Sequence, residues 1–402
     1  MRVWVAGLFL SAIAVNGLAT ERWKFDTRIA VTGTPTKGIF HHLEGSGRKH
    51  IAVSAQTVAV TWEDNRTGEP QVFIAVKGLS ETHFSEARQV SGGIEAYEPA
   101  IAKLPDDRFV LVWEQDRSVL ARVFSSNGFS KSLRLSTHPA GNPAVATLGR
   151  KIFSVWRERN EDEWHLRLAR LEFTREDRLR LESIASVEQE GLATRVLFPS
   201  LAVNSAGLCI AWEDRRAGHT RLLFAHSTDQ GKTFSKPRHL NEFYSGRNQY
   251  DQGSGVTRVS LAAFASDEIL AAWMDKRRGA HGYGIFAALG VEGGAEFWPN
   301  ERVHNEDSDR LPHNNPAVAG NPAGEFAVAW DDFRLGDSDV WISGYNDDEE
   351  WSLDHSPVIA SGQGEQSHPS ITFDESGGLH LLWVERSDLD APSRLYYSLG
   401  LP

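Results

Sequence analysis

Short apolar runs alternate with polar turns along the whole chain, and no stretch carries a convincing helical period. The runs repeat. Apolar residues leading into Trp and then an acidic–basic turn recur as VAVTWEDNRTGE, FVLVWEQDRSV, IFSVWRERNEDE, LCIAWEDRRAGH, ILAAWMDKRRGA, FAVAWDDFRLGD and LHLLWVERSDLD. Their tryptophans are Trp62, Trp113, Trp156, Trp212, Trp273, Trp330 and Trp383, spaced 43 to 61 residues apart. Thirteen or fourteen residues earlier most copies carry Pro, a small residue and apolar residues, as in Pro99-Ala100-Ile101 and Pro199-Ser200-Leu201. Val259-Ser260-Leu261 and Lys49-His50-Ile51 stand in that place in the fifth and first copies.

Each unit predicts a strand, a turn, a strand ending in Trp, a polar turn and a third strand such as Arg221-Leu222-Leu223-Phe224. A fourth strand follows, as in Phe234 to Leu240. Four antiparallel strands in a repeat of about 50 residues make a propeller blade. The expectation is an all-β, seven-bladed β-propeller of four-stranded antiparallel blades. The last unit stops after its third strand, at Arg394 to Leu399, while an orphan strand, Trp23 to Val31, precedes the first unit. The orphan is expected to complete the last blade, so that no sheet edge stays open. A six-bladed ring would require the irregular third unit, from Trp156 to about Val196, to be an insertion.

The first 19 residues, MRVWVAGLFLSAIAVNGLA, have one basic residue, an apolar stretch and small residues near Ala19. This layout predicts a secretory signal peptide over 1–19 and a single propeller domain over 20–402. The product is then secreted or periplasmic, with no membrane span after signal removal. The lone Cys209 lies in an apolar run and is expected to pack as a small hydrophobe. A net charge of −12 argues against nucleic acid and anionic lipid as partners. A glycan or a protein ligand fits better.

One turn is more specific. Ser227, Asp229, Gly231, Thr233 and Phe234 spell S-x-D-x-G-x-T-F between a third and a fourth strand. Asp229 and Ser227 can bond turn amides, and Gly231 tolerates positive φ. With the Trp-x-Asp-x-Arg repeats, this box resembles the sialidase-like (Asp-box, BNR-repeat) propeller superfamily. The resemblance implies the fold, and it implies a structural role for the box on the face away from the ligand. It also implies one enzymatic reading, a sialidase-like glycoside hydrolase acting on an acidic sugar. The strand starts Tyr97-Glu98-Pro99 and Leu197-Phe198-Pro199 lack the Arg that such enzymes carry there. A non-catalytic glycan- or protein-binding module is therefore the leading expectation, and no catalytic residue is assigned.

Candidate ligand contacts fall in two places. The repeated acid–Arg turns, expected to ring the channel mouth, offer Arg216, Arg277 and Arg334, whose guanidiniums suit a carboxylate or sulfate. Repetition in every blade favours the other role, in which each Arg pairs with an acid of its own or the next blade and pins the turn. The asymmetric loop 241–255 offers Tyr244, Arg247, Tyr250 and Asp251, a mixture suited to stacking on sugars. Glu306, Asp307 and Asp309 in the loop 300–315 suit a hard cation such as Ca2+. No other cofactor is implied, because the chain has no Gly-rich phosphate loop and no nucleophile elbow.

Overall fold

The seven Trp-marked units form seven antiparallel sheets. The computed structural model describes residues 22–25, 27–174, 178–188, 195–216, 218–242, 255–277, 282–305, 311–345, 351–352, 354–388 and 390–402. The signal-peptide segment 1–19 lies outside them. Blade 4 shows the pattern: Val196–Val203, Leu208–Asp214, Arg221–Ser227 and Arg238–His239 pair in chain order from the axis outwards. The irregular third unit is a full blade of Ala140–Leu148, Lys151–Asn160, Glu163–Phe173 and Leu179–Ser186. Its extra length goes into long outer strands, so the ring has seven blades and no insertion. In blade 6 three strands are described, and His355 and Trp351 bridge to Ile342 and Tyr345 beside the third. Among the described residues no helix is long and apolar enough to cross a membrane.

The ring closes with the orphan strand. Lys24 and Phe25 pair with Leu401 and Gly400, and Ile29 and Ala30 pair with Tyr397 and Tyr396. Blade 7 thus takes its outer edge from the start of the chain.

Period-2 alternation in each strand sends side chains into the two interfaces with neighbouring blades. Seven apolar clusters result, each joining two adjacent blades around one of the repeat tryptophans. All seven of these tryptophans are at most 1% exposed. Each ring buries well over 100 Å² of apolar surface, worth several kcal/mol at about 25 cal/mol/Å². Cys209 belongs to the interface of blades 4 and 5, where burial raises its thiol above the ordinary range.

Six inner strands share a bulge just before the repeated Pro position. Each bulge holds one non-glycine residue in the left-handed region: Glu98, Asn142, Phe198, Arg258, Asn315 and His368, with φ between 48° and 62°. Such a conformation costs about 1–2 kcal/mol per residue. It turns that side chain towards the axis. Blade 1 differs, because residues 43–49 cross the axis between the two pieces of its inner strand, His41–His42 and Ile51–Val53. A Cβ on Gly47 would meet Ser200 Cβ of blade 4 at 2.5 Å and the Val259 carbonyl of blade 5 at 2.7 Å. A Cβ on Gly45 would meet Asn315 of blade 6 at 2.8 Å. Only glycine permits this crossing, and Gly47 also needs its φ of +70°. The crossing segment stops one end of the central channel.

Candidate functional site

Two columns of residues follow each repeat Trp, and they do different work. In blades 1, 5 and 6 the Asp two positions on accepts the indole N–H: Trp62 to Asp64 at 2.7 Å, Trp273 to Asp275 at 3.1 Å, Trp330 to Asp332 at 2.9 Å. In blades 1, 4, 5 and 6 the Arg two further on closes back onto that Asp. Arg216 reaches Asp214 at 2.8 Å and Arg277 reaches Asp275 at 2.7 Å. Arg334 is shared between Asp332 at 2.6 Å and Asp354 at 2.8 Å. Arg277 and Arg334 then lie over Phe286 and Trp341, third-strand aromatics of their own blades. These arginines make the turn-pinning ion pairs that their repetition in every blade suggests. The Asp two residues earlier takes the turn N–H and the guanidinium together, which folds each Arg back along its blade. Burial opposes ionisation of Asp332, but hydrogen bonds from His313, Arg334 and Trp330 outweigh it and hold the carboxyl below its ordinary range.

The residue directly after Trp faces the next blade. Glu63, Glu114, Glu213 and Asp331 accept the backbone N–H of Glu98, Asn142, Arg258 and His368, the left-handed bulge residues. The strained bulge is thus capped from the preceding blade. Blade 3 breaks the column with Arg157. Its guanidinium lies 4.4 Å over Trp164, and its buried Nε has no hydrogen-bond partner among the described residues. Burial lowers the guanidinium from its ordinary value, opposed by the nearby Glu114 and Glu98.

Arg157 lines a recess of about 630 Å³ between blades 2 and 3, together with Tyr97, Glu114 and Trp164. A second recess of about 440 Å³ between blades 1 and 2 shares Tyr97 and Glu114 and adds Phe40, His42, Glu63 and Glu98. The two form one cleft on the stopped face of the ring. Its floor is an ionic cluster at the axis. Arg48, fully buried, binds Glu98 at 2.5 Å, and Asn142 donates to the same carboxylate at 2.9 Å. Arg48 and Arg258 both approach the ring of Phe198, at 5.8 and 5.9 Å, so side chains of blades 1, 4 and 5 converge there. Glu44 from the crossing segment accepts from Arg258 and Ser46. Burial opposes its charge, yet His42, Arg48 and Arg258 hold its carboxyl below the ordinary range.

Glu114 has the opposite balance. Burial, reinforced by the charge of Glu98, pushes its carboxyl up to about 7. Burial also raises Glu63. The hydrogen bond from Tyr97 to Glu95, 2.6 Å long, holds that phenol protonated with its pKa pushed up to about 12. The cleft therefore offers a protonated carboxyl, ionised carboxylates, a phenol, exposed aromatic edges and one guanidinium without a carboxylate of its own.

The chain shares its fold with solved structures of low sequence identity. The polysaccharide lyase Uly1 matches with a TM-score of 0.57 at 11% identity, over 94% of this chain and 99% of that one. A protein of unknown function from Dyadobacter fermentans matches with a TM-score of 0.53 at 9% identity, over 94% and 98% of the two chains. An α-L-arabinanase from Penicillium chrysogenum gives a TM-score of 0.49 at 13% identity over 75% of this chain and 92% of that one. No family model matches, and neither does any curated protein. What is common to these chains is the propeller.

Tyr244, Arg247, Tyr250 and Asp251 lie outside the described residues, as do Glu306, Asp307 and Asp309. The Ser227–Phe234 turn is described in full. Asp229 accepts from the amides of Lys232 and Thr233 and from both hydroxyls of Ser227 and Thr233. Gly231 has φ +76°, and Phe234 packs against the cluster of blades 3 and 4. Sequence reasoning passed over Arg48, Glu98, Glu114 and Arg157. The available signal was the position after Trp, which reads Glu, Glu, Arg, Glu, Met, Asp and Val along the seven units. Arg157 is the cation in an otherwise acidic or apolar column.

Proposed function

We propose that this propeller binds a carbohydrate carrying an acidic group and holds it without transforming it, in the cleft of blades 1 to 3. The observation that carries the reading is Arg157. Repetition around the ring serves structure, whereas this charged departure leaves a guanidinium without its own carboxylate among the described residues, stacked on Trp164, inside an open recess. A guanidinium so placed takes a carboxylate or sulfate bidentately, while Tyr97 and Trp164 present flat faces to sugar rings. The polar edge of the cleft suits hydroxyls. The polysaccharide lyase among the structural neighbours adds support at the level of ligand class.

A second reading, a glycoside hydrolase of the sialidase-like kind acting on an acidic sugar, draws on Glu114, a carboxyl held protonated near neutral pH. Against it, Glu98 and Glu114 crowd together and share Asn142, whereas two hydrolytic carboxyls stand about 5 Å or more apart. Calorimetry with uronate-containing and sulfated oligosaccharides, beside neutral ones, tests both. The binding reading expects affinity for the acidic set, a loss of about tenfold or more in Arg157→Ala, and no new reducing ends or unsaturated products. Turnover abolished by Glu114→Gln reverses the order. Arg247→Ala and Tyr250→Ala test the loop that the sequence favoured; loss there with Arg157→Ala unaffected moves the site to that loop.

A further inference from the structure

The channel is blind. Residues 43–49 stop it on the cleft side, and beyond them a cavity of about 630 Å³ runs to the opposite face, lined by the inner strands of all seven blades. Ile51, Val145, Leu201 and Leu261 contribute to its wall. Only one charged group lies deep inside. Lys49, the last residue of the crossing segment, donates from Nζ to the Val318 carbonyl of blade 6 at 2.5 Å, and no carboxylate pairs with it among the described residues. Its two other N–H donors have no acceptor from the described residues. The other charges on the lining are peripheral: Lys103 pairs with the exposed Glu375 at 3.5 Å, and Asp374 is engaged by His380 and Ser376. Desolvation with nothing to offset it pulls the Lys49 amine down to about 8. An ammonium largely desolvated in the channel wall and without a counter-charge is costly, and an anion that enters the cavity relieves that cost.

We infer that the blind channel is a second binding site, separate from the cleft, in which Lys49 holds a small oxyanion (phosphate, sulfate or carboxylate) that enters from the face opposite the cleft. The other cation on the described lining, Lys103, sits at the rim and is paired with Glu375, so one oxyanion is the capacity of the site. The site owes nothing to the glycan reading, since Arg157 and Lys49 lie on opposite sides of the crossing segment.

The test follows the lysines themselves. Full-length protein is reductively dimethylated with 13C-formaldehyde, and its lysine resonances are followed during titration with inorganic phosphate, sulfate and acetate against chloride at equal ionic strength. Lys49→Arg assigns the signal. The expected result is a saturable shift of the Lys49 resonance with at least one oxyanion, while the exposed lysines stay in place. Lys49→Met should then weaken the oxyanion-dependent rise in Tm about tenfold or more in concentration. If that variant fails to fold, the wild-type titration decides alone. A Lys49 resonance that ignores all three oxyanions, moves equally with chloride, or never forms because the reagent cannot reach the amine overturns the inference. Arg157→Ala should leave the Lys49 response unchanged, whatever it does to glycan binding.

Discussion

Blade 6 and blade 3 treat the same corner in opposite ways. In blade 6 the residues after Trp330 are consumed: Asp331 caps His368 of the next blade, and Asp332 gathers Trp330, His313 and Arg334. In blade 3 the residue after Trp156 is Arg157, which caps nothing, and Glu158 holds Trp156 at 3.3 Å while pairing with Arg167 of the third strand at 3.7 Å rather than with an Arg of its own turn. Both tryptophans are fully buried. The difference teaches that the core of each blade tolerates a change in the turn above it. One blade can then give up a structural cap and turn its side chain to the solvent.

Equilibrium denaturation of matched variants measures how far that separation goes. Trp330→Ala and Trp156→Ala should each cost about 3–5 kcal/mol, because the two indoles fill equivalent interfaces. A gap between them larger than about 2 kcal/mol would break the equivalence on which the comparison stands. Asp332→Ala comes next, at about 3 kcal/mol, since it strands a buried indole N–H and half of the Arg334 pairing. Glu158→Ala should cost only about 1–2 kcal/mol, because its partner Arg167, 3.7 Å away, is partly exposed and can turn to water.

The pH dependence sharpens the contrast at the cleft. Burial pulls His50 down to about 3 and His368 down to about 4. Their contribution is complete above the unfolded value of about 6.5 and is lost as pH falls below it, by about 1.4 kcal/mol per unit and site. Glu114 and Asp331, both pushed up to about 7 by burial, act with the opposite sign. Their folded forms prefer the proton, so stability declines as pH rises from about 4.5 to 7. The two effects oppose each other between about pH 4.5 and 6.5 and give a shallow plateau there. Glu114→Gln should therefore be more stable than wild type at pH 7.5, by about 1–2 kcal/mol, and steeper on the acid side. A melting curve for this variant that coincides with wild type at pH 7.5 contradicts the placement of its carboxyl. The smallest expected effect is the most telling: Arg157→Ala should lie within about 0.5 kcal/mol of wild type in denaturant. A cost above 2 kcal/mol would make Arg157 a structural residue like Arg334.

The ring was legible in the chain because its signal is one-dimensional. A buried Trp every 50 or so residues, at the same offset from a strand start, needs no knowledge of neighbours to be recognised, and the orphan Trp23–Val31 segment completes the count. The cleft was not legible in the same way. Whether the residue after Trp faces its own turn or the adjoining blade depends on how adjacent sheets twist around the axis, and pattern along one strand carries no record of that. Glu98 and Asn142 stand before Pro, where extended backbone is the ordinary expectation; the inter-blade caps hold them left-handed and so aim them at the axis. The acid–Arg turns looked like a cation ring because spacing shows proximity to the channel but not which way a guanidinium folds.

Closure by the strand at Lys24–Phe25 on Leu401 and Gly400 has a consequence for biogenesis. A ribosome makes residues 24–30 long before their partners, so the ladder between them forms only once residues 396–401 have been translated. Until then the flanks of blades 1 and 7 stay unsealed, and the nascent chain cannot lock into its final topology. For that whole time the third strand of blade 7 keeps a bare edge, the kind of unpaired ladder that recruits stray strands until its own partner covers it.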